Sequence, residues 1–148
     1  MDRRTMLASA GAAAIAGTVA SKAFSQENAT ASHPKHTMNA AHQACLEACQ
    51  SCESTCNAMI SHCLTHASEG HKEHVSSARA AITCQDFCGL SAKLIARMDL
   101  LAMANCEVCA KACDACAAEC EKMPSDTQMA ACAKECRSCA ALCRKMTA

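Results

Sequence analysis

The amino-acid sequence predicts an all-α protein, an antiparallel up-down four-helix bundle whose core is lined with cysteine. Three observations lead to this prediction. The 148 residues include no Trp or Tyr and only two prolines and four glycines, a composition typical of helix. Four long stretches without helix breakers are joined by short connections. Sixteen cysteines recur mostly at alternating steps of three and four residues, which is the spacing of buried positions along a helix.

The first 25 residues are predicted to be an export signal that is removed. Arg3 and Arg4 precede a weakly apolar run, rich in Ala and Gly, that extends to Ala20. The arginine pair resembles a twin-arginine signal, and we expect cleavage after Ser25, with Ala23 or Ala20 as alternatives. The apolar run is too short and too mild to predict a membrane span. We therefore expect an exported, periplasmic protein whose mature chain has no membrane span.

The helices are predicted from breakers and caps. The chain divides into a flexible polar leader at 26–36 and helices at 37–67, 72–97, 99–122 and 127–146, so that the bundle domain spans 37–148. A turn at Gly70 follows the first helix, and Asp99 is expected to cap the third. Pro124 excludes a continuous helix at that point, and Ser125 or Asp126 is expected to cap the fourth.

A cysteine motif, C-x3-C-x2-C-x3-C, occurs in the first, third and fourth helices. Its members are Cys45, Cys49, Cys52 and Cys56; Cys109, Cys113, Cys116 and Cys120; and Cys132, Cys136, Cys139 and Cys143. The second helix carries Cys84 and Cys88, while Cys63 and Cys106 extend the first and third runs. At 100° per residue the cysteines of each motif-bearing helix span an arc of about 60–80°. All sixteen thiols are therefore predicted to face the bundle axis.

Two structural explanations of these cysteines compete with metal binding. Cysteine can act as a small buried hydrophobe, but leucine would fill three complete seams better. Disulfides are the usual role of cysteine in a short exported chain. However, a bridge within one helix closes a very short loop and constrains the unfolded chain little. Metal binding is therefore the favoured explanation.

The charge of the thiolate ligands indicates which metal ion they bind. Thiolates are the form that binds metals, and a column of bare thiolates in a core of low dielectric is prohibitively unfavourable. A soft monovalent cation matched one-to-one with thiolates leaves the core neutral, and Cu(I) is that cation. Zinc held by four thiolates keeps two negative charges, and iron–sulfur clusters usually draw their cysteines from loops. The sequence therefore predicts multinuclear Cu(I) binding, with several ions per chain.

The cysteine segments also carry a family resemblance. The stretch C-D-A-C-A-A-E-C-E-K before the proline break and A-C-A-K-E-C-R-S-C-A-A-L-C after it resemble the bacterial copper storage proteins over residues 37–146. The twin-arginine-like leader resembles their exported branch, although sixteen cysteines are more than we expect of that branch. The resemblance implies a homotetramer of four-helix bundles that buffers copper for copper-accepting proteins, which the sequence does not identify.

Histidine and methionine collect near both ends of the predicted bundle. One end gathers Met59, His62, Cys63, His66, His71, His74, Met123 and Met129; the other gathers His36, Met38, His42, Met98, Met103 and Met146. The resemblance implies one open mouth lined by such residues, and Ser61-His62-Cys63 followed by His66 resembles its mouth segment. We therefore expect Met59, His62, His66, Met123 and Met129 to join the sixteen cysteines as metal ligands.

Several residues near the ends have simpler explanations. His71 and His74 flank a turn and are as compatible with solvent as with a site. Met98 and Met103 are expected in the core, and Leu94, Ile95, Leu100 and Leu101 are expected to supply apolar packing.

The pattern predicts a binding and storage protein rather than an enzyme. A formal net charge of zero without a basic stripe argues against a nucleic-acid partner. Three alternatives remain open: a thiol oxidoreductase that uses the C-x2-C pairs, an iron–sulfur electron-transfer protein, and a metallothionein-like binder of zinc or mixed soft metals. Metal content and metal preference would distinguish them.

Overall fold

The computed structural model describes residues 38–147 as four helices. They are α1 (Ala40–Ser68), α2 (His74–Ala96), α3 (Ala102–Cys120) and α4 (Thr127–Thr147). No strand occurs within residues 38–147, so the predicted all-α class is confirmed. The predicted export signal, its cleavage site, the polar leader and His36 lie outside the described residues.

The four helices form a square bundle in which each contacts its two neighbours. Helix α1 packs against α2 and α4, and α3 packs against the same two helices. Cys63 near the end of α1 contacts Met129 at the start of α4, whereas Cys45 near the start of α1 contacts Cys143 near the end of α4. Adjacent helices are therefore antiparallel, as short connections require.

The starts of α1 and α4 are set by side-chain caps. Asn39 Oδ1 accepts a hydrogen bond from the backbone N–H of His42 at 2.8 Å, so α1 begins three residues later than predicted. Asp126 Oδ1 accepts from the N–H groups of Gln128 and Met129 at 2.9 and 3.1 Å. Of the two residues predicted to cap α4, Asp126 is therefore the one that does so.

The turn between α2 and α3 differs from the prediction. Asp99 Oδ1 accepts from the N–H of Leu101 at 3.0 Å, but α3 starts at Ala102, so Asp99 shapes the turn instead of capping the helix. Leu100 is 98% exposed and Leu101 is 64% exposed because both lie in this turn. Met98 and Met103 are also about half exposed. The predictions of apolar packing for Leu100 and Leu101, and of core positions for Met98 and Met103, are therefore wrong.

The core consists of sulfur and small side chains. All sixteen cysteines are fully buried, and alanines such as Ala117 and Ala140 are buried beside them. Larger apolar side chains gather towards one end, where Ile95, Leu94 and Met146 are buried, as expected for Leu94 and Ile95. None of the helices described here is long and apolar enough to cross a membrane.

Candidate metal centre

The thiols form one continuous column along the bundle axis. Each of the four helices directs its cysteines inward, so sulfurs from facing helices come close together. Cys84 of α2 and Cys113 of α3 have an Sγ–Sγ distance of 3.5 Å, and Cys52 of α1 lies 3.8 Å from Cys136 of α4. With a metal–sulfur bond of about 2.3 Å, one ion can bridge sulfurs at these separations.

The thiols fall into groups whose sulfurs all lie within 4.8 Å of one another. In order along the axis, these groups include Cys45, Cys106 and Cys143; Cys49, Cys109, Cys139 and Cys143; Cys52, Cys88, Cys113 and Cys139; Cys52, Cys56, Cys84 and Cys136; and Cys56, Cys116, Cys132 and Cys136. Each group shares at least one thiol with the next. The arrangement therefore suits metal ions bridged by shared thiolates better than isolated four-ligand sites.

Burial and mutual hydrogen bonding set the protonation of the column. Hydrogen bonds that the Cys56 thiol donates to Cys116, Cys132 and Cys136, together with burial, raise the pKa of Cys56. Burial raises the pKa of Cys63 to about 11, and the charge of Asp126 adds to the effect. Hydrogen bonds from Cys113 and Cys136 instead lower the pKa of Cys52. Most thiols thus keep their protons near neutral pH, and a monovalent cation that replaces a proton leaves the charge unchanged.

The burial of the thiols argues against redox catalysis. An attacking thiol must be partly exposed and must have a lowered pKa. The C-x2-C pairs such as Cys49 and Cys52 lie inside helices, and every one of the sixteen thiols is inaccessible to solvent. The lumen therefore has the properties of a storage cavity rather than of an exposed redox site.

Thioether sulfur extends the column at the end formed by the C-terminus of α1 and the N-terminus of α4. The Sγ atom of Cys63 lies 3.6 Å from Sδ of Met59 and 3.8 Å from Sδ of Met129. Both methionines are buried. Met123 packs partly buried against the same core. Three of the residues predicted as ligands thus form a compact trio of soft sulfur, hereafter the sulfur trio (Met59, Cys63 and Met129).

Three histidine rings lie together at the same end. The ring centroids of His62 and His66 are 4.5 Å apart, those of His66 and His74 are 4.8 Å apart, and those of His62 and His74 are 5.5 Å apart. His74 is only 6% exposed, so the possibility that it is simply solvated does not hold. His71 is exposed on the turn, and its ring centroid lies farther out, 5.8 Å from that of His66 and 6.3 Å from that of His74.

The burial of His74 could have been predicted from the spacing of the two cysteines in α2. The inward positions of α2 follow steps of three and four, namely His74, Ser77, Ala81, Cys84, Cys88, Ser91 and Ile95. His74 is therefore in register with the two cysteines of its helix. Extending the cysteine seam backwards by ten residues from Cys84 would have placed this histidine inside the bundle.

Asp126 connects the histidines to α4. The Nε2 atom of His62 donates to Oδ2 of Asp126 at 2.7 Å. Burial opposes ionisation of Asp126, but the N–H groups of Met129 and Gln128 and the ring of His62 favour it, and the net effect lowers its pKa. Burial, followed by the neighbouring rings of His66 and His62, lowers the pKa of His74. The result is an ionised carboxylate behind His62 and a neutral imidazole at His74.

The opposite end of the bundle is packed rather than open. Ile95 is fully buried there, with Leu46 and Met146 nearly so. Nδ2 of Asn105 donates to Oγ of Ser91 at 2.7 Å, which ties α2 to α3. His42 forms a 2.6 Å hydrogen bond with the side chain of Asn39. The two ends therefore differ in chemistry, one being apolar and the other rich in sulfur and imidazole.

The fold and the site together define a class of protein, a thiol-lined helical bundle suited to holding many soft metal ions. The family model Csp, copper storage protein, matches residues 38–148. The chain belongs to the copper storage protein family.

Solved and curated relatives agree with this assignment. Cu(I)-bound copper storage protein BsCsp3 superimposes with a TM-score of 0.65 at 33% identity, covering 73% of this chain and 99% of that one. The apo form of copper storage protein 3 from Bacillus subtilis has a TM-score of 0.62 at 36% identity, and the match covers 72% of this chain and 98% of that one. The Nmul_A1745 protein of Nitrosospira multiformis has a TM-score of 0.64 at 35% identity, and the match covers 72% of this chain and 94% of that one. A cysteine-rich protein of Bacillus subtilis, YhjQ, is 37% identical over 85 residues, which are 57% of this chain and 76% of that protein.

Proposed function

We propose that this protein stores copper by binding multiple Cu(I) ions through the sixteen thiolates of its lumen. The observation that carries the proposal is the chain of overlapping thiol groups, in which neighbouring groups share a sulfur. Shared sulfurs allow each thiolate to bridge two ions, so that ions and ligands can match in number and leave the lumen neutral. The similarity to BsCsp3, whose solved structure contains Cu(I), supports the same cargo here.

The softness of the ligands supports copper over zinc. Thiolates and thioethers favour Cu(I), and the lumen offers these two donors side by side at the sulfur trio. Isolated zinc sites of four thiolates would each keep two negative charges in a dry core. Because neighbouring thiol groups share cysteines, such isolated sites cannot fill all of the groups.

We place the mouth of the lumen at the sulfur trio. The side chain of His62 is 15% exposed and that of His66 is 37% exposed, so solvent reaches the rings just outside the trio. The opposite end is blocked by Ile95 and its neighbours. In this arrangement Cu(I) would pass the rings of His62 and His66 and the flank of Met123, meet Met59 and Met129, and reach the thiolates beyond Cys63.

The role is one of binding and release, not catalysis. Stored copper would supply copper-dependent proteins or protect the cell from free copper.

Export by the twin-arginine route and assembly into a homotetramer complete the proposal. Conversion of Arg3 and Arg4 to lysine should retain the protein in the cytoplasm, as measured by fractionation. Light scattering should give the mass of a tetramer, and a monomer mass would remove that part of the proposal.

An anaerobic Cu(I) titration of the reduced protein against a competing chelator tests the function. We expect tight uptake of Cu(I) ions comparable in number to the sixteen cysteines. Zinc and iron contents of the same preparation serve as controls for the two other metals. Saturation after only a few ions, or loss of the thiols to disulfides, would overturn copper storage. Stoichiometric zinc that Cu(I) does not displace would favour the metallothionein-like alternative.

A further inference from the structure

The nitrogen ligands at the mouth form a group of their own. His62 and His66 are one turn apart on α1, and His74 lies at the first position of α2. Their three ring centroids are separated by 4.5, 4.8 and 5.5 Å. Three imidazoles bound to one tetrahedral ion through metal–nitrogen bonds of about 2.0–2.1 Å would have ring centroids ~5 Å apart. The observed separations bracket that value.

The hydrogen bonds of these rings leave one nitrogen of each available. Nε2 of His62 donates to Asp126, which leaves the lone pair on Nδ1. Nδ1 of His66 lies 3.2 Å from a carboxylate oxygen of Glu69, which leaves Nε2. Nδ1 of His74 is buried and has no hydrogen-bond partner among the described residues. An unpaired buried nitrogen is unfavourable unless something binds it.

The contact between Asp126 and His62 has the form found behind metal-binding histidines. A ligating imidazole usually donates its second N–H to a carboxylate, which fixes the tautomer and makes the ligand more basic. Asp126 is itself held in place because its other oxygen caps α4. The carboxylates of Asp126 and Glu69 also make this end favourable for a cation.

From these contacts we propose that His62, His66 and His74 form a site for one divalent cation of intermediate softness, such as Zn²⁺ or Cu²⁺, separate from the thiolate column. Imidazole nitrogen suits such ions, whereas Cu(I) prefers the sulfur ligands beside it. Asp126 is the positioning residue of this site. An ion held by all three rings would join α1 to α2 at the end where Asp126 already ties α1 to α4.

A Co²⁺ titration under anaerobic conditions distinguishes this site from the thiolates. The protein is first filled with Cu(I) so that its thiols are occupied, and Co²⁺ alone is then added. We expect one Co²⁺ per chain, with d–d absorption and without the sulfur-to-cobalt charge-transfer bands that thiolate ligation produces. Absence of Co²⁺ binding, or charge-transfer bands from the bound ion, would overturn the proposal.

Variants identify the ligands. Loss of a residue that hydrogen-bonds to a metal ligand typically weakens metal binding roughly 10–100-fold. His74→Ala and His62→Ala each remove a ligand itself, so each should weaken Co²⁺ binding by more than that. Asp126→Asn, which keeps a capping oxygen, should weaken it by about 10–100-fold. His42→Ala is the matched control, because it removes a histidine at the opposite end of the bundle, beside Asn39, and should change affinity by less than ~2-fold. Equal losses in His42→Ala and His74→Ala would show non-specific binding and overturn the site.

The test remains informative whether or not copper storage holds. The metal-free reduced protein can be titrated with Co²⁺ in the same way, because thiolate-bound and imidazole-bound cobalt differ in their charge-transfer absorption. A cobalt ion without sulfur ligation that is lost in His74→Ala would establish the site even if Cu(I) loading failed. Helix content of each variant, measured by circular dichroism, separates loss of the ligand from loss of the fold.

Discussion

Cys52 of α1 and Cys136 of α4 lie 3.8 Å apart near the middle of the lumen. Both residues belong to the group that also contains Cys56 and Cys84, and each takes part in a further group. This pair therefore connects the two halves of the thiol column. The capacity of the lumen for metal is expected to depend more on this position than on the ends.

Replacement of Cys52 by alanine tests that dependence. Cys52→Ala should lower the number of Cu(I) ions bound by more than Cys106→Ala does, because Cys106 stands in the terminal group of three thiols. Alanine is chosen since a serine hydroxyl would be buried without an assured partner. Anaerobic titration of both variants against a chelator gives the comparison. Equal losses would mean that the ions bind independently and not as bridged clusters.

The pKa of Cys63 predicts a loss of stability in alkaline solution. Burial raises this pKa from 9.0 to about 11, so the folded state holds the proton more tightly than the unfolded state. This contribution to stability is complete below pH 9 and is lost as the pH rises towards 11. The free energy of unfolding of metal-free reduced protein should therefore fall across this window. Cys63→Ala should show a shallower fall, and an unchanged slope would contradict the assignment.

Thioether ligation at the mouth can be tested without disturbing the packing. Met59→Leu and Met129→Leu conserve volume, so each should cost less than about 1.5 kcal/mol of stability. Both should slow the transfer of Cu(I) to an added chelator, since the ion loses soft ligands next to Cys63. Met146→Leu, at the opposite end, is the control. If it slowed transfer equally, the mouth would not lie at the sulfur trio.

Asp126 is predicted to stabilise the bundle as well as to position His62. Asp126→Ala removes the acceptor for two N–H groups of α4 and the partner of His62. We expect a loss of about 1–2 kcal/mol in the free energy of unfolding, as for other helix caps. Denaturant unfolding of the metal-free protein measures it. Ser125→Ala, an exposed neighbour, should change stability little; similar losses in both variants would remove the special role of Asp126.

A surface ion-pair network between α3 and α4 should contribute only modestly. Arg137 donates to both carboxylate oxygens of Glu121 at 3.0 and 2.8 Å and to Asp114 at 2.9 Å, and Arg144 also pairs with Asp114. Because Arg137 is 44% exposed, Arg137→Ala should lower the free energy of unfolding only slightly. The cost should shrink in high salt. Lys134→Ala on the same helix provides the comparison, and a salt-independent cost would indicate lost packing instead.

The helices and their sulfur-bearing faces were predictable because both depend on local periodicity. Alternating steps of three and four fix a stripe on any helix, and the burial of all sixteen cysteines agrees with that stripe. Helix ends were less predictable, since Asn39 and the turn after Arg97 depend on local hydrogen bonds. Leu100 and Leu101 were misplaced because the predicted third helix began before the turn had ended.

The sequence by itself determined the number of helices, the face of each that carries sulfur and the kind of metal such a face suits. Those properties follow from the helical repeat and from the charge of a thiolate. Only the tertiary structure decided which thiols of different helices meet within 4.0 Å and that His74 joins His62 and His66. The axial alignment of one helix against another is set by turn lengths and long-range packing, and no local pattern contains it.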